Sequence, residues 1–222
     1  RYSFWREPCG DDLTPRRALA GTVTADVAIL GAGYSGLWTA YYLLQRDPSL
    51  RVVVVEGEIA GYGASGRNGG WCYAGFPVST GVLEERFGRE RTRALLAAMY
   101  ETIDEVARVC AAEGIDAQIA RSGVLRIARG IEQLPGIDGS LATYERLGFG
   151  DHYRRLGAAE LAERVRVSGA LGALWIKDGL TIHPARLVRG LARAVERRGG
   201  TIYEGSPVVD FQSGARPRLI TA

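Results

Sequence analysis

Two short apolar runs, separated by an amphipathic segment, form the most regular pattern in the chain. Residues 26–30 are mostly apolar, and residues 52–55 are four consecutive valines. Unbroken runs of β-branched residues are typical of parallel strands that are covered on both faces. Between the runs, apolar side chains recur at helical spacing, at Leu37, Ala40, Tyr41 and Leu44. The pattern therefore predicts a strand, a helix and a second strand over residues 26–56.

The rest of the chain predicts a mixture of helices and strands. An apolar stripe at spacings of three and four predicts a long helix over residues 82–113, ended by Gly114 in the left-handed conformation. Residues 171–176 and 180–182 are predicted to be strands around an Asp178-Gly179 turn. The other predicted elements are a strand within 118–128, short helices at 140–147 and 158–165, a helix from Pro184, a strand at 201–204 and a hairpin of 207–211 with 217–221.

A glycine-rich turn joins the first predicted strand to the first helix. Gly31, Gly33 and Gly36 form the pattern G-x-G-x-x-G, and Glu56 ends the second strand 20 residues after the last of them. In a dinucleotide-binding fold these glycines permit a tight turn, a close approach of the pyrophosphate and close packing of the helix on the strand. The helix N-terminus offers unpaired N–H groups, and the acid accepts hydrogen bonds from the ribose. The sequence therefore predicts a dinucleotide site.

A second glycine-rich segment, residues 61–70, reads Gly-Tyr-Gly-Ala-Ser-Gly-Arg-Asn-Gly-Gly. With this segment the chain resembles the FAD-dependent oxidoreductases of the D-amino-acid oxidase superfamily, above all the branch of glycine, sarcosine and γ-glutamylputrescine oxidases. In that family the segment wraps the flavin side of FAD, so the resemblance implies FAD as the cofactor. The alternative is a glycine-rich surface loop with a solvated Arg67, since loops are often glycine-rich for turn reasons alone.

The resemblance also implies particular cofactor contacts. Ser65, Arg67 and Asn68 would lie near the pyrophosphate or the isoalloxazine, where glycines let the backbone approach the ring. Val208 would present its backbone to the adenine, although a valine in a strand is also explained by sheet packing. The full set of expected cofactor residues is Gly31, Gly33, Tyr34, Ser35, Gly36, Glu56, Ala64, Ser65, Arg67, Asn68, Gly69, Gly70 and Val208.

The expected fold class is α/β, with a Rossmann-like FAD-binding domain that carries an inserted α+β substrate domain. The resemblance implies an N-terminal arm at 1–24, a first part of the FAD-binding domain at 25–71, a partial substrate domain at 72–183 and a return to the FAD-binding domain at 184–222. Relatives continue beyond the part matched here. The chain is therefore expected to be a truncated N-terminal part of an oxidase, inactive alone, and its catalytic residues are left unassigned.

Composition and charge indicate neither a nucleic-acid nor a membrane partner, and the resemblance implies a small-molecule amine or amino-acid substrate. The chain has 28 basic and 25 acidic side chains, a net charge of +3, which is no nucleic-acid signature. No apolar run approaches the roughly 20 residues of a membrane span. Three cysteines without metal-ligand spacing favour a reducing, cytoplasmic compartment, and no metal site is predicted. The oligomeric state is left open.

By resemblance, the complete protein would oxidise an amine or amino acid: hydride passes to the flavin, and dioxygen reoxidises it. The alternative is a catalytically silent dinucleotide-binding module or subunit. Neither histidine is assigned as a base, because His152 is expected to be a solvated loop residue and His183 a structural one. Phe4 and Trp5 are expected to anchor the N-terminal arm.

Overall fold

The computed structural model describes residues 3–222, which fall into two compact units. The first unit contains the chain up to Gly70, then Val109–Gln118 and Ile182–Ala222, and the second contains Trp71–Arg108 and Ile119–Thr181. The helices are α1 Tyr34–Arg46, α2 Thr80–Glu113, α3 Leu134–Arg146, α4 Ala158–Arg164 and α5 Pro184–Arg197. The strands are β1 Val27–Leu30, β2 Val52–Val55, β3 Trp71–Tyr73, β4 Ala120–Arg121, β5 Val124–Ala128, β6 Tyr153–Gly157, β7 Gly172–Ile176, β8 Gly179–Thr181, β9 Thr201–Tyr203, β10 Val208–Gln212 and β11 Arg218–Thr221.

A parallel sheet of order β1-β2-β9 forms the centre of the first unit. All four valines of the middle strand, β2, are buried, as expected for a strand covered on both faces. Helices α1 and α5 pack against each other. The α/β fold class and the three parallel strands, predicted at 26–30, 51–56 and 201–204, are confirmed, and each strand is one or two residues shorter than its predicted range.

The hairpin predicted near the end of the chain is also confirmed. Strands β10 and β11 pair antiparallel, with an irregularity between Val208 and Asp210. Val208 is half-buried and packs against a small apolar cluster that contains Val53, Val55 and Tyr203. Sheet packing therefore gives this valine a structural role of its own.

The second unit holds two antiparallel sheets, of orders β3-β8-β4 and β5-β7-β6. The prediction that the segments at 171–176 and 180–182 lie around one tight turn is wrong, because β7 and β8 belong to different sheets. Lys177 and Asp178, which connect the two strands, contact His152 instead of forming a turn. The Lys177 N–H donates to the His152 carbonyl at 2.9 Å, and the Asp178 carboxylate contacts the side chain of the same histidine. These contacts direct the connection away from a two-residue turn.

Helix α3 begins at Leu134, six residues before the predicted start, and runs through Pro135, Gly136 and Gly139. A proline is tolerated in the first turn, where its missing N–H has no intrahelical acceptor. Burial of Ile137 offsets the cost of the glycines, about 1 kcal/mol each in a helix interior. Tertiary packing thus overrides the local signal.

The long helix α2 is interrupted at Gly88, whose φ of 77° and ψ of 164° are not helical. At its C-terminal end Gly114 has a φ of 64°, which confirms the predicted left-handed cap. Strands β3 and β6 lie in segments for which the sequence predicted no strand. Within residues 3–222, no helix combines the length and the apolar character that a membrane crossing requires.

Candidate cofactor site

The turn between β1 and α1 is built by glycines at the positions where the backbone is most crowded. Gly31 has a φ of +93°, and its N–H donates to the Val55 carbonyl at 2.8 Å. A Cβ on Gly36 would lie 2.1 Å from the Gly31 carbonyl oxygen and 3.1 Å from Ile29 Cγ2. Only glycine therefore lets α1 start this close to the end of β1.

A hydroxyl group contacts the start of α1. The N-cap residue Gly33 has no side chain, and a Cβ at this position would lie 2.9 Å from Ser65 Oγ. Ser65 Oγ accepts the Tyr34 N–H at 2.9 Å. The next two N–H groups, those of Ser35 and Gly36, are in the first turn, where a helix supplies no acceptor. This end of α1 therefore presents N–H donors and a partial positive charge.

Glu56 follows β2 and lies directly beside the glycine turn. One carboxylate oxygen, Oε2, accepts the Ala32 N–H at 2.8 Å, and the other, Oε1, accepts the Glu58 N–H at 3.0 Å. The backbone of Glu56 is fixed as well, because its N–H donates to the Tyr203 carbonyl and its carbonyl accepts the Ser206 N–H. The side chain is half-buried, and in the described part of the chain no cationic side chain pairs with it.

The segment 61–70 is a tightly folded loop. A Cβ on Gly66 would lie 2.2 Å from the Gly61 carbonyl oxygen. Asn68 braces the loop from within, because its Oδ1 accepts the Gly70 N–H at 2.9 Å and its Nδ2 donates to the Ser65 carbonyl at 3.0 Å. The Ala64 carbonyl accepts two further N–H groups of the loop. These internal hydrogen bonds fix part of the backbone path of the loop, whereas the Gly66 and Asn68 carbonyls have their partners outside it.

Arg67 is exposed but folded back onto its own loop. Its Nε donates to the Tyr62 carbonyl at 2.7 Å, and its guanidinium lies 4.5 Å from the centre of the Tyr62 ring. The guanidinium of Arg6 lies 4.4 Å from the same ring centre. Two cations thus contact one aromatic ring at the base of the loop.

The N-terminal arm holds this loop through contacts that the sequence did not specify. Trp5 Nε1 donates to the Asn68 carbonyl at 2.7 Å, and Ser3 Oγ donates to the Gly66 carbonyl at 3.0 Å. The expectation that Trp5 anchors the arm is confirmed. The same expectation for Phe4 is wrong, because that side chain is 76% exposed.

A second glutamate, Glu204, was missed, although it follows β9 as Glu56 follows β2. It is completely buried. Its Oε1 accepts hydrogen bonds from Arg16 Nη1 and the Ala60 N–H, both at 2.8 Å, and its Oε2 accepts the Arg16 N–H at 2.7 Å. The sequence does contain a signal that could have identified it, because Glu204, like Glu56, directly follows a strand. The partner cation, 188 positions earlier, has no local signal.

The two histidines have different environments. His183 caps the N-terminus of α5: its Nδ1 accepts the Arg186 N–H at 3.3 Å, which fits the expected structural role. Burial, and then the charge of Arg186, lowers the pKa of His183. The expectation that His152 is a solvated loop residue is wrong, because its Nδ1 lies 2.5 Å from Asp178 Oδ2 and its ring stacks on Tyr100 at 3.9 Å between centres.

Of the residues expected at the cofactor, the structure brings together the glycine turn, Ser65 and Glu56. Ser65 bonds to the start of α1, and Glu56 bonds to the turn itself. Arg67, Asn68, Gly69 and Gly70 lie farther along the loop that contains Ser65. Val208 instead packs against Val53, Val55 and Tyr203 in the sheet cluster described above. Among residues 3–222, no group of three or more His, Cys, Asp or Glu side chains is placed to hold a metal ion.

Comparison with known proteins identifies the family of the chain. Residues 26–221 match the family of FAD dependent oxidoreductases named DAO. The chain is 32% identical to γ-glutamylputrescine oxidoreductase of Escherichia coli K12 over 198 residues, which cover 89% of this chain and 46% of that protein. The chain therefore spans about half the length of the curated relatives it matches.

Solved structures show the same fold. The crystal structure of glycine oxidase from Geobacillus kaustophilus superposes with a TM-score of 0.69 at 26% identity, covering 90% of this chain and 52% of that one. The L-amino acid deaminase from Proteus myxofaciens gives a TM-score of 0.70 at 19% identity, with coverages of 91% and 43%. The predicted family and FAD as its cofactor are confirmed. The chain belongs to the DAO family of FAD-dependent oxidoreductases.

Proposed function

We propose that the complete protein uses FAD to oxidise the C–N bond of a small amine or amino acid, with dioxygen as the final electron acceptor. The family match over residues 26–221 supports the cofactor. The similarity to a γ-glutamylputrescine oxidoreductase and a glycine oxidase supports a nitrogen-containing substrate. FAD supplies the redox chemistry when it is bound, and the protein supplies position and electrostatics.

The observation that carries the proposal is the hydrogen bond between the Glu56 carboxylate and the Ala32 N–H. It places an acid directly beside the glycine turn. An ionised carboxylate has about four acceptor positions, and the two backbone N–H groups that contact Glu56 occupy two of them. The free positions fit the two hydroxyl donors of a ribose.

The residues at the start of α1 fit the pyrophosphate of FAD. Gly33 has no Cβ to obstruct the approach, and the N–H groups of Ser35 and Gly36 are donors for phosphate oxygens. Tyr34 contributes its N–H only if Ser65 Oγ, which now accepts it, turns toward the phosphate. In this proposal Ser65 links the glycine turn to the loop at 61–70.

The remaining expected residues complete the proposed site. Ala64, Arg67, Asn68, Gly69 and Gly70 border the flavin, and the backbone of Val208 borders the adenine. Residues 25–71 and 184–222 form the FAD-binding domain, and residues 72–183 form part of a substrate domain. The substrate-binding residues are not assigned to this chain.

The test is to purify the complete gene product and record its absorbance spectrum. Flavin bands near 370 and 450 nm, approximate values for the cofactor in general, are expected. Anaerobic addition of γ-glutamylputrescine, glycine, sarcosine and other amino acids should then bleach the band at the longer wavelength. Admission of air should restore it and produce peroxide.

Each result of this test has a definite meaning. A protein that purifies without flavin and binds none when FAD is added contradicts the proposed site. Bleaching by 2-hydroxy acids but by no amine would contradict the nitrogen-containing substrate, since a hydroxyl then replaces the amine. Bound flavin that no substrate in the panel reduces would favour the catalytically silent module. Slow recovery of the flavin absorbance in air would indicate that the electron acceptor is a compound other than dioxygen.

A further inference from the structure

The first described residues of the chain contact the loop at 61–70 at two carbonyl groups. Trp5 Nε1 donates to the Asn68 carbonyl at 2.7 Å, and Ser3 Oγ donates to the Gly66 carbonyl at 3.0 Å. Both bonds join residues that are 63 positions apart. They are therefore tertiary contacts that hold the arm and the loop together.

The indole ring of Trp5 is itself fixed in place. It packs edge-on against the ring of His183, with 5.0 Å between the centres. A Cβ on Gly70 would lie 3.6 Å from Trp5 Cζ2, so the ring lies close to the loop backbone. A tryptophan side chain has only two rotatable bonds, and contacts on both its ring and its N–H fix its direction.

The bond to the Asn68 carbonyl also fixes the direction of the next N–H. The described residues contain no cis peptide bond. In a planar trans peptide the C=O and the following N–H point in opposite directions. Because the Asn68 carbonyl points toward Trp5, the Gly69 N–H points away from the arm.

The surroundings of Gly69 leave this N–H accessible. Gly69 is exposed, and a Cβ at this position would meet no atom within 4 Å. The neighbouring N–H, that of Gly70, is already bonded to Asn68 Oδ1 at 2.9 Å. The Gly66 carbonyl differs, because the N–H of its peptide belongs to Arg67 and already donates to the Ala64 carbonyl at 3.1 Å.

We propose that Trp5 is a positioning residue for FAD: through the Asn68 carbonyl, it aims the Gly69 N–H at an acceptor atom of the isoalloxazine ring. The inference rests on the proposed cofactor site. Ser3 holds the same loop, but the N–H of the peptide it contacts is bonded within the loop. The two arm residues therefore have separable effects: Trp5 acts on the electronics of the flavin, and Ser3 acts on loop anchoring alone.

The experiment compares Trp5→Phe and Ser3→Ala with the unmodified complete gene product. Phenylalanine keeps a ring against His183 and removes the indole N–H. Apoprotein is titrated with FAD, and the reduction potential of the bound flavin is measured. We expect Trp5→Phe to weaken FAD binding roughly 5- to 10-fold, the effect of one lost hydrogen bond. We also expect a lower reduction potential, since an N–H donor stabilises the electron-rich reduced ring.

Ser3→Ala is the control variant, because it removes a contact of the arm with the same loop and leaves the bond between Trp5 and the Asn68 carbonyl in place. It should leave the potential unchanged. If Trp5→Phe does not fold, as judged by the denaturation of its apoprotein, a benzothienylalanine at position 5 keeps the shape of tryptophan without the N–H. The expected results are the same.

Two outcomes overturn the inference while the proposed function stands. In the first, the Trp5 variants bind FAD as tightly as the unmodified protein, with an unchanged potential. In the second, Trp5→Phe and Ser3→Ala weaken binding equally and leave the potential unchanged, which would make Trp5 a clamp without influence on the ring. A complete protein that binds no FAD overturns the proposed function itself.

Discussion

Glu56 and Glu204 occupy equivalent positions at the carboxyl ends of neighbouring parallel strands, yet their surroundings differ. Glu204 is completely buried, and its carboxylate is paired with Arg16 at 2.8 Å, with Arg189 at 3.7 Å. Glu56 is half-buried, and in residues 3–222 its carboxylate is contacted only by backbone N–H groups. One carboxylate is neutralised by the protein, whereas the other keeps acceptor positions for a ligand.

The comparison shows that strand position alone does not identify a ligand-binding acid. A charge taken out of water requires a partner, and in Glu204 the partner is a cation of the protein. Such an acid stabilises the fold by joining Arg16 and the Ala60 N–H to β9. An acid without a cation, held by N–H groups at the edge of a glycine turn, is suited to ribose hydroxyls. Substitution of Glu204 should therefore lower the stability of the fold, whereas substitution of Glu56 should weaken the binding of FAD.

The largest effect is expected from Glu204→Ala. Removing the buried carboxylate leaves the Arg16 N–H and the Ala60 N–H without their acceptor and leaves the Arg16 guanidinium with Glu196 as its remaining partner. Breaking a buried ion pair in this way should cost about 3–5 kcal/mol of unfolding free energy. Urea denaturation of the apoprotein measures this loss. Glu58→Gln, a change at an exposed glutamate, is the control and should have almost no effect. A loss below about 1 kcal/mol for Glu204→Ala lies within the range of a surface ion pair. It would contradict the structural role that distinguishes Glu204 from Glu56.

Gly33→Val tests the turn beside Glu56. The first atom of a side chain here would already lie 2.9 Å from Ser65 Oγ, and the methyl groups would occupy the approach to the N-terminus of α1. We expect FAD binding to weaken more than about 100-fold, or 2.7 kcal/mol. Gly136→Ala is the matched control, since a Cβ there meets nothing within 4 Å. Flavin retained at full stoichiometry by Gly33→Val would rule out this turn as the pyrophosphate site.

Glu56→Gln should affect binding and leave stability largely intact. The amide keeps one oxygen acceptor but loses the charge, so FAD should bind roughly 10- to 100-fold more weakly, or about 1.5–3 kcal/mol. A flavin titration measures the affinity, and urea denaturation of the apoprotein measures stability. The expected result is opposite to that of Glu204→Ala, which should lower the stability of the apoprotein strongly. An unchanged FAD affinity in Glu56→Gln would exclude Glu56 from the site.

The smallest effect is expected at Asp26, a third acid of the same sheet but at its amino end. The hydrogen bond from Arg51 lowers the pKa of Asp26 to about 2. Because the folded pKa lies below the unfolded value of about 3.9, its contribution is present above pH 4 and is lost as the pH falls toward 2. Asp26→Asn should therefore differ slightly from the unmodified protein at pH 6 and converge with it near pH 2. Denaturation midpoints of both proteins measured from pH 6 to pH 2 would show this convergence. A difference between the midpoints that stays constant with pH would contradict it.

The features predicted from sequence are those set by neighbouring residues. Four successive valines, the glycine spacing and the acid after the second strand define β1, α1, β2 and the position of Glu56 without tertiary information. The left-handed glycine after α2 is equally local. These elements could be predicted without knowing which strands pair with each other.

The features that sequence analysis missed depend on distant partners. The cation of Glu204 comes from Arg16, and the separation of β7 from β8 depends on His152, which binds the residues between them. Helix α3 starts six residues earlier than predicted, with Pro135 in its first turn, and the burial of Ile137 beyond it depends on packing partners elsewhere in the chain. The proposed role of Trp5 rests on its hydrogen bond to the Asn68 carbonyl, a contact across 63 positions that no local sequence pattern predicts.

The most direct test is a crystal structure of the complete gene product with FAD, in which the distances from the Glu56 carboxylate to the ribose hydroxyl oxygens are measured. We predict that at least one distance lies at about 2.5–3.0 Å, the range of an O–H···O hydrogen bond. The pyrophosphate should lie at the start of α1, and Glu204 should remain paired with Arg16. A ribose more than about 4 Å from Glu56, beyond the reach of any hydrogen bond, would contradict the assignment of this acid to the cofactor site.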